Sequence, residues 1–170
     1  MHPKTLLTET SSSESPEKTD LEWMNIALQT ATRALEHEDV PIGAIVVDAT
    51  GQMIGVGWNV RERDQDPCGH AEIMALRAAS QHQQRWRLDG CTVYVTLEPC
   101  AMCAGAMVLS RIARCVWAAP DPKGGYLGTL GNLAADSRLN HQFEVQGGLQ
   151  QEASAEMLRA FFKRLRQRKR

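Results

Sequence analysis

The chain has 170 residues, 43% hydrophobic and 23% charged, with a formal net charge of −1. That length suits one domain able to bury a real core, and the composition excludes fibrous or low-complexity classes. No apolar run is long enough to span a bilayer, no apolar stretch near the N-terminus reads as a secretory signal, and five cysteines without disulfide-dense spacing point to reduced thiols in the cytoplasm.

Residues 1–19, rich in Ser, Thr, Glu and Pro after Leu7, read as a disordered leader, and residues 20–170 as a single domain. Asp20 is expected to N-cap a first helix, because Leu21, Met24, Ala27, Leu28, Ala31 and Leu35 recur at helical spacing. Pro41 ends that pattern. A buried strand is predicted at residues 43–48, and Gly51 turns it into a second strand near Met53 to Trp58, forming a hairpin. His70 opens the next helical stretch. Cys91 to Leu97 is apolar and β-branched enough for a central strand, and Pro99 suits the first turn of a helix reaching about Ser110. Cys115 to Ala118 reads as another strand, and residues 120–131, rich in Gly and Pro, as a loop. A short strand near Phe143 to Val145 and an amphipathic helix from about Gln151 complete the order, which argues for an α/β layer structure with a mixed sheet.

The net charge hides an asymmetry. Between Arg159 and Arg170 lie seven basic residues and no acidic one, which leaves about −8 on the rest of the chain. A basic end on an acidic body invites a polyanion, although a solubilising tail has the same composition.

The chemistry concentrates in two short segments. His70-Ala71-Glu72 and Pro99-Cys100-Ala101-Met102-Cys103 offer one imidazole, two thiols and a carboxylate. Either segment alone is a weak signal, since His-x-Glu arises by chance and Cys-x-x-Cys also serves redox dithiols and structural zinc sites. Together they supply three zinc ligands (His70, Cys100 and Cys103) and leave the fourth tetrahedral position open, as in catalytic sites. Helix N-termini favour the thiolate form of Cys100 and Cys103. Zinc lowers the pKa of a bound water from about 15.7 towards about 7, and Glu72 is assigned the proton traffic. Loss of an exocyclic amine from a nucleobase needs that combination.

Further segments carry a resemblance. Val40-Pro41-Ile42-Gly43-Ala44, Gly57-Trp58-Asn59, His70 to Leu76, Thr96 to Met107, Asp121-Pro122-Lys123-Gly124-Gly125 and Phe161-Phe162 together resemble the bacterial tRNA-specific adenosine deaminases, within the cytidine-deaminase-like superfamily. The likeness runs from about Leu21 to Arg166. The His-Ala-Glu and Pro-Cys-x-x-Cys elements belong to the whole superfamily; the other segments carry the tRNA assignment. The resemblance implies a three-layer α/β fold with a mixed central sheet of about five strands and helices on both faces. It implies conversion of adenosine to inosine at the wobble position of a tRNA anticodon stem-loop, by zinc-activated hydroxide attacking C6 of adenine, in a cytoplasmic homodimer with one zinc per subunit. It further implies that Asn59 contacts the target base and that Asp121 lies against anticodon nucleotides. The basic final helix, with Lys163, Arg164 and Arg166, would meet phosphates. The chain departs from the family pattern in its longer leader and in the prolines flanking Asp121.

Other readings remain at this point. The zinc chemistry also fits a deaminase of free guanine or cytidine. A non-catalytic zinc-stapled RNA-binding module could take a fourth ligand from Cys68 or Cys115. Trp58 is a stacking candidate, although a buried hairpin Trp is the commoner role. His37, His82 and His141 read as surface residues, and Cys91 and Cys115 as core.

Overall fold

The structure, a computed structural model, describes residues 18–168. The expected leader lies outside that range except for Lys18 and Thr19. Thr19, not Asp20, caps helix α1 (Asp20–Ala31). Its hydroxyl accepts from the Glu22 N–H at 3.3 Å, while the Glu22 carboxylate accepts from the Thr19 N–H at 2.7 Å, a reciprocal capping box. Asp20 is thereby free for a longer-range role. Arg114 donates to it at 2.8 and 2.7 Å and the Tyr94 hydroxyl at 2.7 Å. The Arg114 bonds hold its carboxyl below the ordinary aspartate range.

After α1 a 3-10 turn (Thr32–His37) leads to β1 (Gly43–Val47), which is buried along its whole length and pairs antiparallel with β2 (Met53–Trp58). A short helix α2 (Arg61–Asp64) follows, which hydrophobic periodicity does not announce because all four residues are exposed. It is held instead by fully buried Asp39, whose carboxylate accepts from the N–H groups of Glu62 at 2.8 Å and Arg63 at 3.0 Å. Then come α3 (Ala71–Gln83), β3 (Thr92–Leu97), α4 (Ala101–Ser110), β4 (Arg114–Ala119), a 3-10 turn (Leu133–Ala135), β5 (Glu144–Gly147) and α5 (Gln151–Arg168).

The five strands form one mixed sheet in the order β2-β1-β3-β4-β5. β1 is antiparallel to both its neighbours, whereas β3, β4 and β5 run parallel, with α4 supplying the crossover between β3 and β4. Strand alternation sends Val46, Val93 and Val95 towards Ala75, Ala79 and Met107 of α3 and α4. Ile45, Val47, Tyr94 and Val116 face the other way, onto Trp23, Met24 and Ala27 of α1. α5 packs beside the first 3-10 turn through buried Phe161, and the Ser154 hydroxyl donates to the Thr96 carbonyl. The expected α/β sheet with helices on both faces is what the chain forms.

β2, β3 and β4 share one direction, so their C-terminal ends lie along one edge of the sheet. Such edges are where open α/β sheets place ligands.

Candidate active site

Two helix N-termini meet at that edge. α3 and α4 each begin after an extended N-cap residue, and these caps are His70 (φ −82°, ψ 150°) and Cys100 (φ −72°, ψ 173°). Neither side chain makes a capping bond, which leaves imidazole and thiol available for a ligand. Pro99 stands one residue before the cap, not in the first helical turn as the sequence suggested. Cys100 must stay extended for its carbonyl to accept the Ala104 N–H at 2.8 Å, and the fixed φ of Pro99 stiffens the approach.

His70 Nδ1 lies 3.6 Å from Cys100 Sγ and 3.5 Å from Cys103 Sγ. The three donor atoms fall within 4.8 Å of one another, the one cluster of this kind among the described residues. One imidazole and two thiols are the borderline-soft set that suits zinc, with a fourth position left for water or substrate. The donors therefore fit the metal. Cys68 and Cys115 do not join them. Cys68 is exposed, and Cys115 is buried on β4 with its thiol pushed up by burial and by the Glu72 charge. Among the described residues a closed four-ligand staple thus lacks its fourth donor.

The electrostatics agree with a cation site. The Cys103 hydrogen bond, seconded by His70, brings the Cys100 thiol down to about 4. That same contact and burial push Cys103 up. Glu72, in the first turn of α3, is 4% exposed, and burial raises its carboxyl to about 7. It sits against Cys103 and outside the donor cluster. A buried carboxyl that titrates near neutrality beside an open metal position suits general acid–base work.

Asn59 follows β2 and is buried. Its Nδ2 donates to the Val40 carbonyl at 3.3 Å, which leaves Oδ1 as a buried acceptor facing no donor among the described residues. Asp121 opens the loop after β4, and its carboxylate accepts from the Lys123 N–H at 2.9 Å. That loop returns to the metal-ligand segment, where Gly125 bridges Cys100 and the Tyr126 N–H donates to the Pro99 carbonyl at 2.9 Å. Lys163, Arg164 and Arg166 are exposed on α5. Arg168, near the end of α5, pairs with Glu38, next to the Asp39-Val40 segment that holds α2 and Asn59.

Three side chains differ from expectation or were not anticipated. His141 is not a plain surface residue: its Nε2 bonds the Ile112 carbonyl at 2.7 Å and its ring lies near Phe143. Trp58 is half-buried, and one face is already covered by the Arg33 guanidinium, 3.7 Å from the ring centre. Glu98 was missed altogether. It is 2% exposed and accepts from the N–H groups of Asp121, Leu127 and Thr129 and from the Thr129 hydroxyl. The available signal was an acid directly after an apolar strand and directly before the Pro-Cys pair.

The chain is similar to known proteins in sequence and in fold. The family model for the zinc-binding region of cytidine and deoxycytidylate deaminases matches residues 17–119. The tRNA-specific adenosine deaminase of Bacillus subtilis (strain 168) is 48% identical over 147 residues, spanning 86% of this chain and 91% of that protein. Its counterpart in Haemophilus influenzae is 42% identical over 150 residues, spanning 88% of this chain and 87% of that protein. A solved structure from work on A-to-I editing by tRNA:A34 deaminases at the wobble position superposes with a TM-score of 0.77 at 39% identity, over 81% of this chain and 99% of its own. The guanine deaminase of Nitrosomonas europaea superposes with a TM-score of 0.73 at 25% identity, over 84% of each chain.

Proposed function

Because the chain belongs to the zinc-binding cytidine and deoxycytidylate deaminase family, and within it to the tRNA-specific adenosine deaminases, we propose that it hydrolyses adenosine to inosine at the wobble position of a tRNA anticodon, releasing ammonia. The observation that carries this reading is the open donor cluster of His70, Cys100 and Cys103 beside a buried Glu72. Zinc held there supplies the Lewis acidity that makes water nucleophilic near neutral pH. Glu72 takes one proton from the attacking water and passes it to a ring nitrogen of adenine, then carries the second, from the new C6 hydroxyl, to the amine, which departs as ammonia as the C6 carbonyl forms. Asn59 offers Oδ1 to a donor on the target base, and its bond to Val40 keeps the amide from turning away. Asp121, on the loop against Cys100, meets the neighbouring anticodon nucleotides. Bases in an anticodon loop can be splayed out without breaking a duplex, so extrusion into such a site costs least there.

The assay that tests the reading offers three substrates: an anticodon stem-loop with adenosine at the wobble position, free guanine and cytidine. Inosine formed only in the RNA is the expected outcome. Turnover of guanine alone would overturn it.

The protein acts as a homodimer in the cytoplasm. Trp86 and Leu109, 60% and 70% exposed, flank an apolar groove of about 440 Å³ between α3 and α4, which a second copy would cover. The free thiols suit a reducing compartment, and no helix among the described residues is long and apolar enough to cross a membrane. RNA phosphates are met by Lys163, Arg164 and Arg166 of α5. Truncation after Phe162 keeps the buried Phe161 anchor and removes those charges. It should weaken stem-loop affinity and flatten its salt dependence, read by fluorescence anisotropy at several salt concentrations. An unchanged salt slope would take the tail out of the interface.

A further inference from the structure

We propose that Glu98 is a positioning residue, which locks the loop carrying Asp121 onto the segment carrying the metal ligand Cys100. The inference rests on the reading above and extends it to a residue with no contact to the donor cluster. Glu98 directly follows β3, two positions before Cys100, and is 2% exposed. Oε1 accepts from the N–H groups of Leu127 at 3.1 Å and Thr129 at 3.0 Å. Oε2 accepts from the Asp121 N–H at 3.1 Å and from the Thr129 hydroxyl. Every one of these donors is neutral and belongs to a single loop.

A buried carboxylate is costly unless donors surround it, and here the donors are the backbone of the recognition loop itself. Pro122, Lys123, Gly128 and Leu130 of the loop are exposed, while Leu127 is buried in the core and Tyr126 packs against it. Two backbone ties also lead to the ligand segment. The Tyr126 N–H donates to the Pro99 carbonyl, and Gly125 bridges Cys100. Gly125 is dictated by this contact, because a Cβ there would lie 2.3 Å from Glu98 Oε2. The Glu98 carboxylate is pinned by its hydrogen bonds and cannot swing aside. Loop and ligand segment therefore keep a fixed spacing, which sets the distance from Asp121 to the reacting base.

Glu98→Gln tests this with little change of shape. An amide NH2 must face one set of N–H donors, so either Asp121 or the Leu127–Thr129 pair is released. Zinc content should match wild type, KM for the anticodon stem-loop should rise about tenfold, and kcat should stay within about threefold. Trypsin should cut at Lys123 in the loosened loop faster than in wild type. Thr129→Val removes only the hydroxyl donor and should give a smaller rise in KM, about threefold; it carries the test if the Gln variant does not fold. The proposal is overturned if KM and cleavage at Lys123 both stay within twofold of wild type. It is equally overturned if the whole loss falls in kcat together with zinc, since Glu98 then supports the metal. Wild-type protein inactive on the stem-loop would instead defeat the functional reading, while Lys123 cleavage still reports on the anchor.

Discussion

Glu72→Gln is expected to lower kcat on the anticodon stem-loop by about a thousandfold, within the range by which positioned acid–base groups accelerate reactions. The amide has nearly the same shape but cannot take a proton from water or return one to the leaving amine. Zinc content, measured by atomic emission, and stem-loop affinity should stay near wild type, because Glu72 lies outside the cluster of His70, Cys100 and Cys103. The variant should also melt at or above the wild-type temperature. A carboxylate with 4% exposure, pushed up to about 7 by burial, opposes folding at neutral pH, and a neutral amide removes that cost. Collapse of zinc content would make Glu72 a ligand or a support for one, and the proton role would pass elsewhere.

Local chemistry was legible in the sequence wherever a few neighbouring residues determine it. The zinc donors could be read because Cys100 and Cys103 share one helical turn and His70 opens another helix. Alternation and apolar runs placed the strands to within a residue or two. The cap of α1 was also written locally, as Thr19 with Glu22 three positions on, but Asp20 is an equally good cap in isolation. Its actual partners, Tyr94 and Arg114, are 74 and 94 residues away. The same limit hid α2, whose stability comes from Asp39 on a distant turn, and Glu98, whose donors lie 23 to 31 residues later in a loop without periodicity. Buried acids bound by remote backbone look like surface charges in a sequence. Strand order is remote too, since no local pattern says that β1 sits between β2 and β3.

Substituting Gly57 should damage both stability and catalysis, although it touches no candidate ligand. β2 faces α3 with Gly55 and Gly57, and α3 answers with Ala71, Ala75 and Ala79 at four-residue spacing. A Cβ on Gly57 would stand 2.2 Å from the Ala71 carbonyl oxygen and 2.5 Å from the Ala75 nitrogen. Both are backbone atoms and cannot rotate out of the way, so Gly57→Ala must push the start of the helix off the sheet. Overpacking of this kind costs about 3 kcal/mol, visible as a lowered Tm. Ala71 lies between His70 and Glu72, so the same movement shifts a metal ligand and the proton carrier together. A displacement of about 1 Å at reacting groups costs on the order of a hundredfold in rate, and zinc affinity should fall with it. Gly105 on α4 is the matching control, because a Cβ there meets nothing within 4 Å among the described residues. Gly105→Ala should stabilise α4 by about 0.5–1 kcal/mol and leave kcat/KM unchanged. If Gly57→Ala instead melts and turns over like wild type, the close seat of α3 on β2 is not what places His70 and Glu72, and the support for the site must come from α4 and the Glu98 loop.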